Sequence, residues 1–135
     1  MSQSNVEIVR KGFEALAGGG VEAMLELVHD RFEMTTPPQL AAEPDTYRGH
    51  DGVRRWFESF YEAMEEVRIE PEAIEPQGEQ VIVSFKMSAR GRTTGIELVQ
   101  RASAVCSVAD ARLVGMRFFA SREDALAAAR PQAGG

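Results

Sequence analysis

Reactive side chains are scarce in this sequence: its 135 residues include two histidines, two tyrosines, one tryptophan and one cysteine. A lone Cys106 excludes an internal disulfide and any cysteine-based zinc site. No apolar run approaches the ~18 residues that a membrane-spanning helix needs. Basic residues are also short, 15 against 21 acidic, for a net charge of -6 and a pI of about 5.0. The arginines are scattered rather than gathered in a stripe, so a phosphate-neutralising nucleic-acid surface is excluded. The opening MSQSNVEIVR has neither an apolar signal core nor a targeting pattern, and the resulting expectation is a soluble cytoplasmic protein.

Apolar residues, by contrast, recur in register. At 44% hydrophobic and 27% charged the composition is that of an ordinary globule. The length suits one domain over residues 1–135, burying about two thirds of its unfolded surface. Ser4 with Glu7 reads as a capping box, and Val6, Val9, Phe13 and Leu16 form one helical stripe, which predicts a helix over residues 5–17. Gly18, Gly19 and Gly20 end it, and Val21, Met24, Leu25 and Val28 predict a second short helix closing near His29. RFEMTT reads as a strand with Phe32, Met34 and Thr36 on one face. Three prolines within residues 36–45 then forbid regular structure and leave a loop long enough to be a lid.

A third helix is expected from about His50, carrying Val53, Trp56, Phe57, Phe60 and Met64 to the core. VRIEPEAIE, EQVIVSFKMSAR, GIELVQRASAVCSV and ARLVGMRFFA follow as strands, and their late clustering favours antiparallel hairpin pairing. Ser121 with Asp124 opens a last helix to Ala129, and residues 130–135 read as a frayed tail. The fold class is α+β, a curved, mainly antiparallel sheet, mixed in part, wrapped around three helices.

The stretch TYRGHDGVRRWF holds the densest cluster of polar groups, Tyr47, Arg48, His50 and Asp51. Helix chemistry explains most of it. Gly49 is a permissible N-cap, and an acid in the first turn, here Asp51, gains about 0.3–1 kcal/mol from the helix dipole. His50 is expected to be solvated, Tyr47 and Arg48 to lie over the sheet edge, with the Tyr47 tip within reach of a pocket mouth. His29 is assigned to a helix C-terminus, where the dipole favours it.

On the sheet, Val81, Val83, Phe85 and Met87 set an inward phase shared by Gln100, Ala102, Ala104 and Cys106. That phase contains no Asp or Glu and leaves Lys86, Arg90, Arg101 and Arg117 outside. Cys106, beside alanines, is expected to be a buried, inert thiol. Gln100 and Thr36 face inward and need hydrogen-bond partners, which makes them candidate polar anchors. Val99, Val105 and Phe119 fall on the outer face among Arg101, Ser103 and Arg117, a mixture suited to a symmetric homodimer contact.

The order and wording of NVEIVRKGFEAL, VEAMLELV leading into RFEMTTPP, TYRGHDGVRRWF and RLVGMRFFASREDAL resemble the nuclear transport factor 2-like superfamily, in its SnoaL-like, polyketide cyclase-like branch. The resemblance covers residues 4–129. It implies a cone with an apolar pocket between helices and sheet, and dimers that meet through the outer sheet face. The branch holds polyketide cyclases, isomerases, epoxide hydrolases and proteins of no known activity, so the fold alone names no reaction.

Ketosteroid isomerase, a relative with this fold, uses an Asp base with a Tyr and a protonated Asp as oxyanion donors. The resemblance places the tyrosine at Gly12, the base at Thr36 and the second acid at Ala104, and none of the three groups is present. Epoxide hydrolysis would need inward carboxylates with an arginine, which the inward phase lacks. Met34, Trp56, Phe60, Met87 and Phe118 are more bulky apolar groups than one sheet face needs, so some are expected to line a cavity.

The expectation is a protein that binds a small hydrophobic molecule through Met34, Thr36, Tyr47, Trp56, Phe60, Met87, Gln100 and Phe118, without metal or cofactor. The alternative is a cyclase, isomerase or hydrolase acting on a polyketide- or terpenoid-like substrate, with Gln100 or Thr36 polarising a carbonyl. A third reading is a dimerisation module whose cavity is a remnant of packing.

Overall fold

Four long strands joined by short turns leave few ways to build the C-terminal half. In the computed structural model, which describes residues 2–35 and 46–129, the chain runs α1 (Ser2–Leu25), β1 (Val28–Thr35), β2 (Thr46–Arg48), α2 (Gly49–Ala63), β3 (Met64–Gln77), β4 (Gln80–Gly91), β5 (Glu97–Ala109), β6 (Arg112–Phe119) and α3 (Arg122–Ala129). The strands form one open, mixed sheet in the order β2-β1-β6-β5-β4-β3. The last four strands pair antiparallel as neighbours, while β1 pairs with β6 in parallel, since the chain between them is far too long to be a hairpin.

Register shifts within the β1–β6, β3–β4 and β5–β6 pairs mark bulges, the irregularities that bend strands and increase their twist. The long edge strand β3 carries Pro71 and Pro76 and five glutamates. A proline N atom donates nothing to a ladder and charge repels a second edge, so both features suit an edge position.

The helix break expected at the glycine triplet falls at Gly20 (φ 80°, ψ -167°), inside α1, and the second helical segment ends at Leu25 rather than near His29. Only glycine adopts that conformation readily, while Val21, Met24 and Leu25 keep the apolar stripe on the core beyond it. The chain therefore enters β1 by Val28, and His29 lies in a strand rather than at a helix end. At the other junction α2 passes directly into β3, so Met64 begins a strand instead of closing a helix.

Helices α1 and α2 lie on one face of the sheet, over a core that includes Val9, Val53, Phe57, Val81, Val83 and Cys106. The third helix lies on the other face. Ser121 caps α3 as expected, its Oγ accepting the Asp124 N–H at 3.1 Å, and Ala125 and Ala129 of α3 bury Ile82 and Val105. This overturns the exposed outer position expected for Val105, which is 1% exposed, and Phe119 packs against the same small cluster. Arg122 fastens α3 through two 2.8 Å bonds to Glu75 on β3. No helix among the described residues is long and apolar enough to cross a membrane. The lid expected over residues 36–45 and the tail 130–135 lie outside the described residues.

Candidate functional site

Large side chains on β4 stand opposite small ones on β5: Val81 faces Cys106, Val83 faces Ala104, and Phe85 faces Ala102. The small partners leave space beneath the helices, and the inner face encloses a cavity of about 90 Å³. Helix α1 contributes Gly12, Phe13, Leu16 and Met24 to its wall, and α2 contributes Val53, Trp56 and Phe57. The sheet supplies the rest, including Met34, Met87, Gln100, Met116 and Phe118. None of the eighteen lining residues is acidic, basic or a histidine.

Gly12 is part of the reason that the space exists. It is buried, and a Cβ built there would stand 3.3 Å from Leu113 Cδ1, so any larger side chain would have to displace the wall. The aromatic part of the lining is cross-braced. Trp56 stacks on Phe60 (centroids 5.5 Å, 8° between planes) and meets Phe57 edge-on at 4.8 Å. Phe85 meets Phe118 edge-on at 5.9 Å. Four methionines, Met24, Met34, Met87 and Met116, complete it, and their unbranched, polarizable chains let a wall change shape at low cost.

Of the residues singled out in the sequence, Met34, Trp56, Met87, Gln100 and Phe118 come together on this cavity. Phe60 does not line it and instead buttresses Trp56. Tyr47 stands opposite Met34 in the β1–β2 ladder, buried at 7% exposure, and lines no part of the cavity. The Arg55 guanidinium lies 5.1 Å from its ring centre, and a Cβ on Gly52 of α2 would fall 2.9 Å from its carbonyl carbon. Thr36 lies outside the described residues. Phe13, Leu16, Met24 and Met116 were legible only as apolar periodicity, which does not separate a cavity wall from a filled core.

Gln100 is the one lining side chain with both a donor and an acceptor, and among the described residues its amide makes no hydrogen bond. The other polar candidates are engaged elsewhere. His50 is not solvated as expected: its Nε2 donates to the Val28 carbonyl at 2.7 Å and fastens α2 to β1 at the start of that strand. Asp51 accepts from Arg54 at 3.0 Å, and Arg54 in turn holds Glu22 of α1 through bonds of 2.7 and 3.0 Å, keeping the Glu22 carboxyl below its usual range. The cluster in TYRGHDGVRRWF is thus a clamp between α1, α2 and β1.

His29 accepts the Arg31 N–H on Nδ1 at 3.0 Å, which leaves the proton on Nε2, 3.3 Å from Asp110. Cys106 is wholly buried, and desolvation pushes its thiol up to about 12, the inert state expected from its neighbours. Among the described residues no group of three His, Cys, Asp or Glu is placed to hold a metal ion.

A profile of the SnoaL-like domain matches residues 9–116. Among solved structures, an NTF2-like protein from Burkholderia thailandensis is similar at 24% identity over 94% of this chain and 98% of that one, with a TM-score of 0.78. TerC, co-crystallised with polyporic acid, is similar at 15% identity over 92% and 98%, TM-score 0.75. A protein of ketosteroid isomerase-like fold from Catenulispora acidiphila, in complex with trimethylamine, is similar at 15% identity over 93% and 94%, TM-score 0.72. A comparison with curated proteins gave no match. Identities at this level speak for architecture and not for chemistry. The domain match, spanning most of the chain, places this protein in the SnoaL-like domain family, and its α+β architecture is the fold of NTF2-like proteins.

Proposed function

We propose that the protein binds a small, uncharged hydrophobic molecule in the cavity, with Gln100 as its polar anchor and Met34, Trp56, Met87 and Phe118 as apolar contacts. One observation carries the reading: a single unpartnered amide set in a wall that otherwise offers aromatic rings, thioethers and alkyl groups. A charged ligand would lose its hydration there and meet no counter-charge. A neutral carbonyl or hydroxyl would satisfy the half-buried amide. Structural relatives crystallised with small molecules support the same reading. Thr36 remains a proposed second anchor, while Tyr47 and Phe60 brace the wall from behind. Among the described residues no lining side chain can exchange a proton near neutral pH, so no observation favours the cyclase, isomerase or hydrolase alternative.

Trp56 is the chain's sole tryptophan, so intrinsic fluorescence reports directly on the cavity. Titration with acetophenone should quench it and raise the melting temperature. Gln100→Leu is expected to weaken acetophenone about tenfold, one hydrogen bond's worth, while leaving ethylbenzene unchanged. Equal losses for both would reject the anchor.

The proposal extends to a two-fold pair of chains meeting on the outer sheet face that α3 leaves open, around Val99 and Arg101, both exposed. Sedimentation equilibrium should return twice the 14.8 kDa chain mass, and Val99→Glu should return the monomer. A monomeric wild-type protein at tens of micromolar would contradict the pairing.

A further inference from the structure

The cavity's volume raises a difficulty for the binding proposal, on which this inference rests. At about 90 Å³ it is smaller than the void of about 150 Å³ that holds one benzene in an engineered core. Movement of the four methionines can make room for a ring, but a molecule of several rings, or a ring with a chain, must lie partly outside the wall.

Exposed apolar side chains among the described residues mark a place for the remainder. Among the described residues the exposed large hydrophobics are Ile96 (68%), Leu98 (37%) and Val99 (59%), all on one arm of the β4–β5 hairpin. Alternation sorts them by face. Phe85 pairs with Ala102, Met87 with Gln100 and Ala89 with Leu98, so Leu98 is the next inner-face position beyond the anchor. The Gly91 N–H donates to the Ile96 carbonyl at 2.9 Å, which carries the ladder, and with it the alternation, out to Ile96. Ala102, Gln100, Leu98 and Ile96 thus form one row that leaves the cavity wall and ends in solvent, while Val99 faces the other way.

The nearby charges are already matched, Arg90 with Glu66 and Glu97, and Arg92 with Glu65. The row therefore extends the apolar phase of the cavity wall past arginines that are already paired, the pattern of a binding track rather than of scattered surface residues.

We infer that the ligand is elongated: an uncharged ring bearing one carbonyl or hydroxyl sits at Gln100, and an apolar chain attached to it runs out along Leu98 and Ile96. The test uses para-alkylphenols from p-cresol to 4-octylphenol, followed by Trp56 fluorescence. Affinity should keep rising along the whole series, about twofold per methylene, half of what complete burial gives. The double variant Ile96→Ser, Leu98→Ser should bind p-cresol as the wild type does and lose the increment for the long homologues. Both sites are exposed, so its melting temperature without ligand should be unchanged. A wild-type plateau at short chains, or an unchanged increment in the double variant, would overturn the track and leave the cavity reading standing. Failure of every homologue to bind would overturn the cavity reading and the track together.

Discussion

Ala104→Asp is expected to cost about 4 kcal/mol of stability at pH 7, beyond a steric loss of about 1–3 kcal/mol that does not depend on pH. Ala104 is fully buried, between Val83 on β4 and Phe118 on β6, and among the described residues no cation lines the cavity on that face. Burial of that kind raises a carboxyl pKa by about 3–5, each step worth about 1.4 kcal/mol. A pKa raised in the folded state leaves stability intact below the unfolded value, near 4, and removes it as pH rises toward the folded value. Urea unfolding at about pH 4 and about pH 7 should therefore show little beyond the steric loss at the lower pH and about 4 kcal/mol more at the higher. Equal losses at both would mean that the introduced carboxyl is hydrated or paired.

The second large effect needs no introduced charge. With the Cys106 thiol pushed up to about 12 from an ordinary 9.0 by burial alone, the unfolded chain ionises first as the solution becomes alkaline. The sign is again that of a raised pKa: the contribution is complete below about pH 9 and is lost between there and about pH 12, amounting to about 4 kcal/mol. Tyrosines and lysines titrate over the same range, so the informative quantity is the difference between wild type and Cys106→Ala. That difference should shift by about 1.4 kcal/mol per pH step above about 9, at the expense of the wild type. A constant offset between the two proteins would show that the thiol is reached by water. Native protein should also resist thiol reagents that label it at once in urea.

How far the sequence discloses the site can be judged from particular residues. The inner face was readable because strand alternation has a period of two and a one-residue slip would have exposed Val81, Val83 and Phe85. Gln100 was readable for the same reason, as a polar residue in an apolar phase. The glycine triplet was readable as a helix break, but the identity of three consecutive glycines does not reveal that Gly20 is the one that leaves the helical conformation. Val105 misled because its cover comes from α3, a short helix whose docking depends on Arg122 reaching Glu75, 47 positions away in sequence. His50 misled because a first-turn position is usually solvated, whereas here the Val28 carbonyl lies within reach. Local patterns gave the elements and the phase, whereas contacts between distant segments decided which residues line the cavity.

Trp56 fluorescence gives the most direct test of an uncharged, acid-free binding site. The affinity of the wild-type protein for acetophenone, which does not ionise, is measured from about pH 5 to about pH 9. Because no titratable side chain among the described residues lines the cavity, the dissociation constant is predicted to stay flat across that range. A change of about tenfold following one titration curve, as a histidine or a buried carboxylate in the wall would produce, would contradict the account.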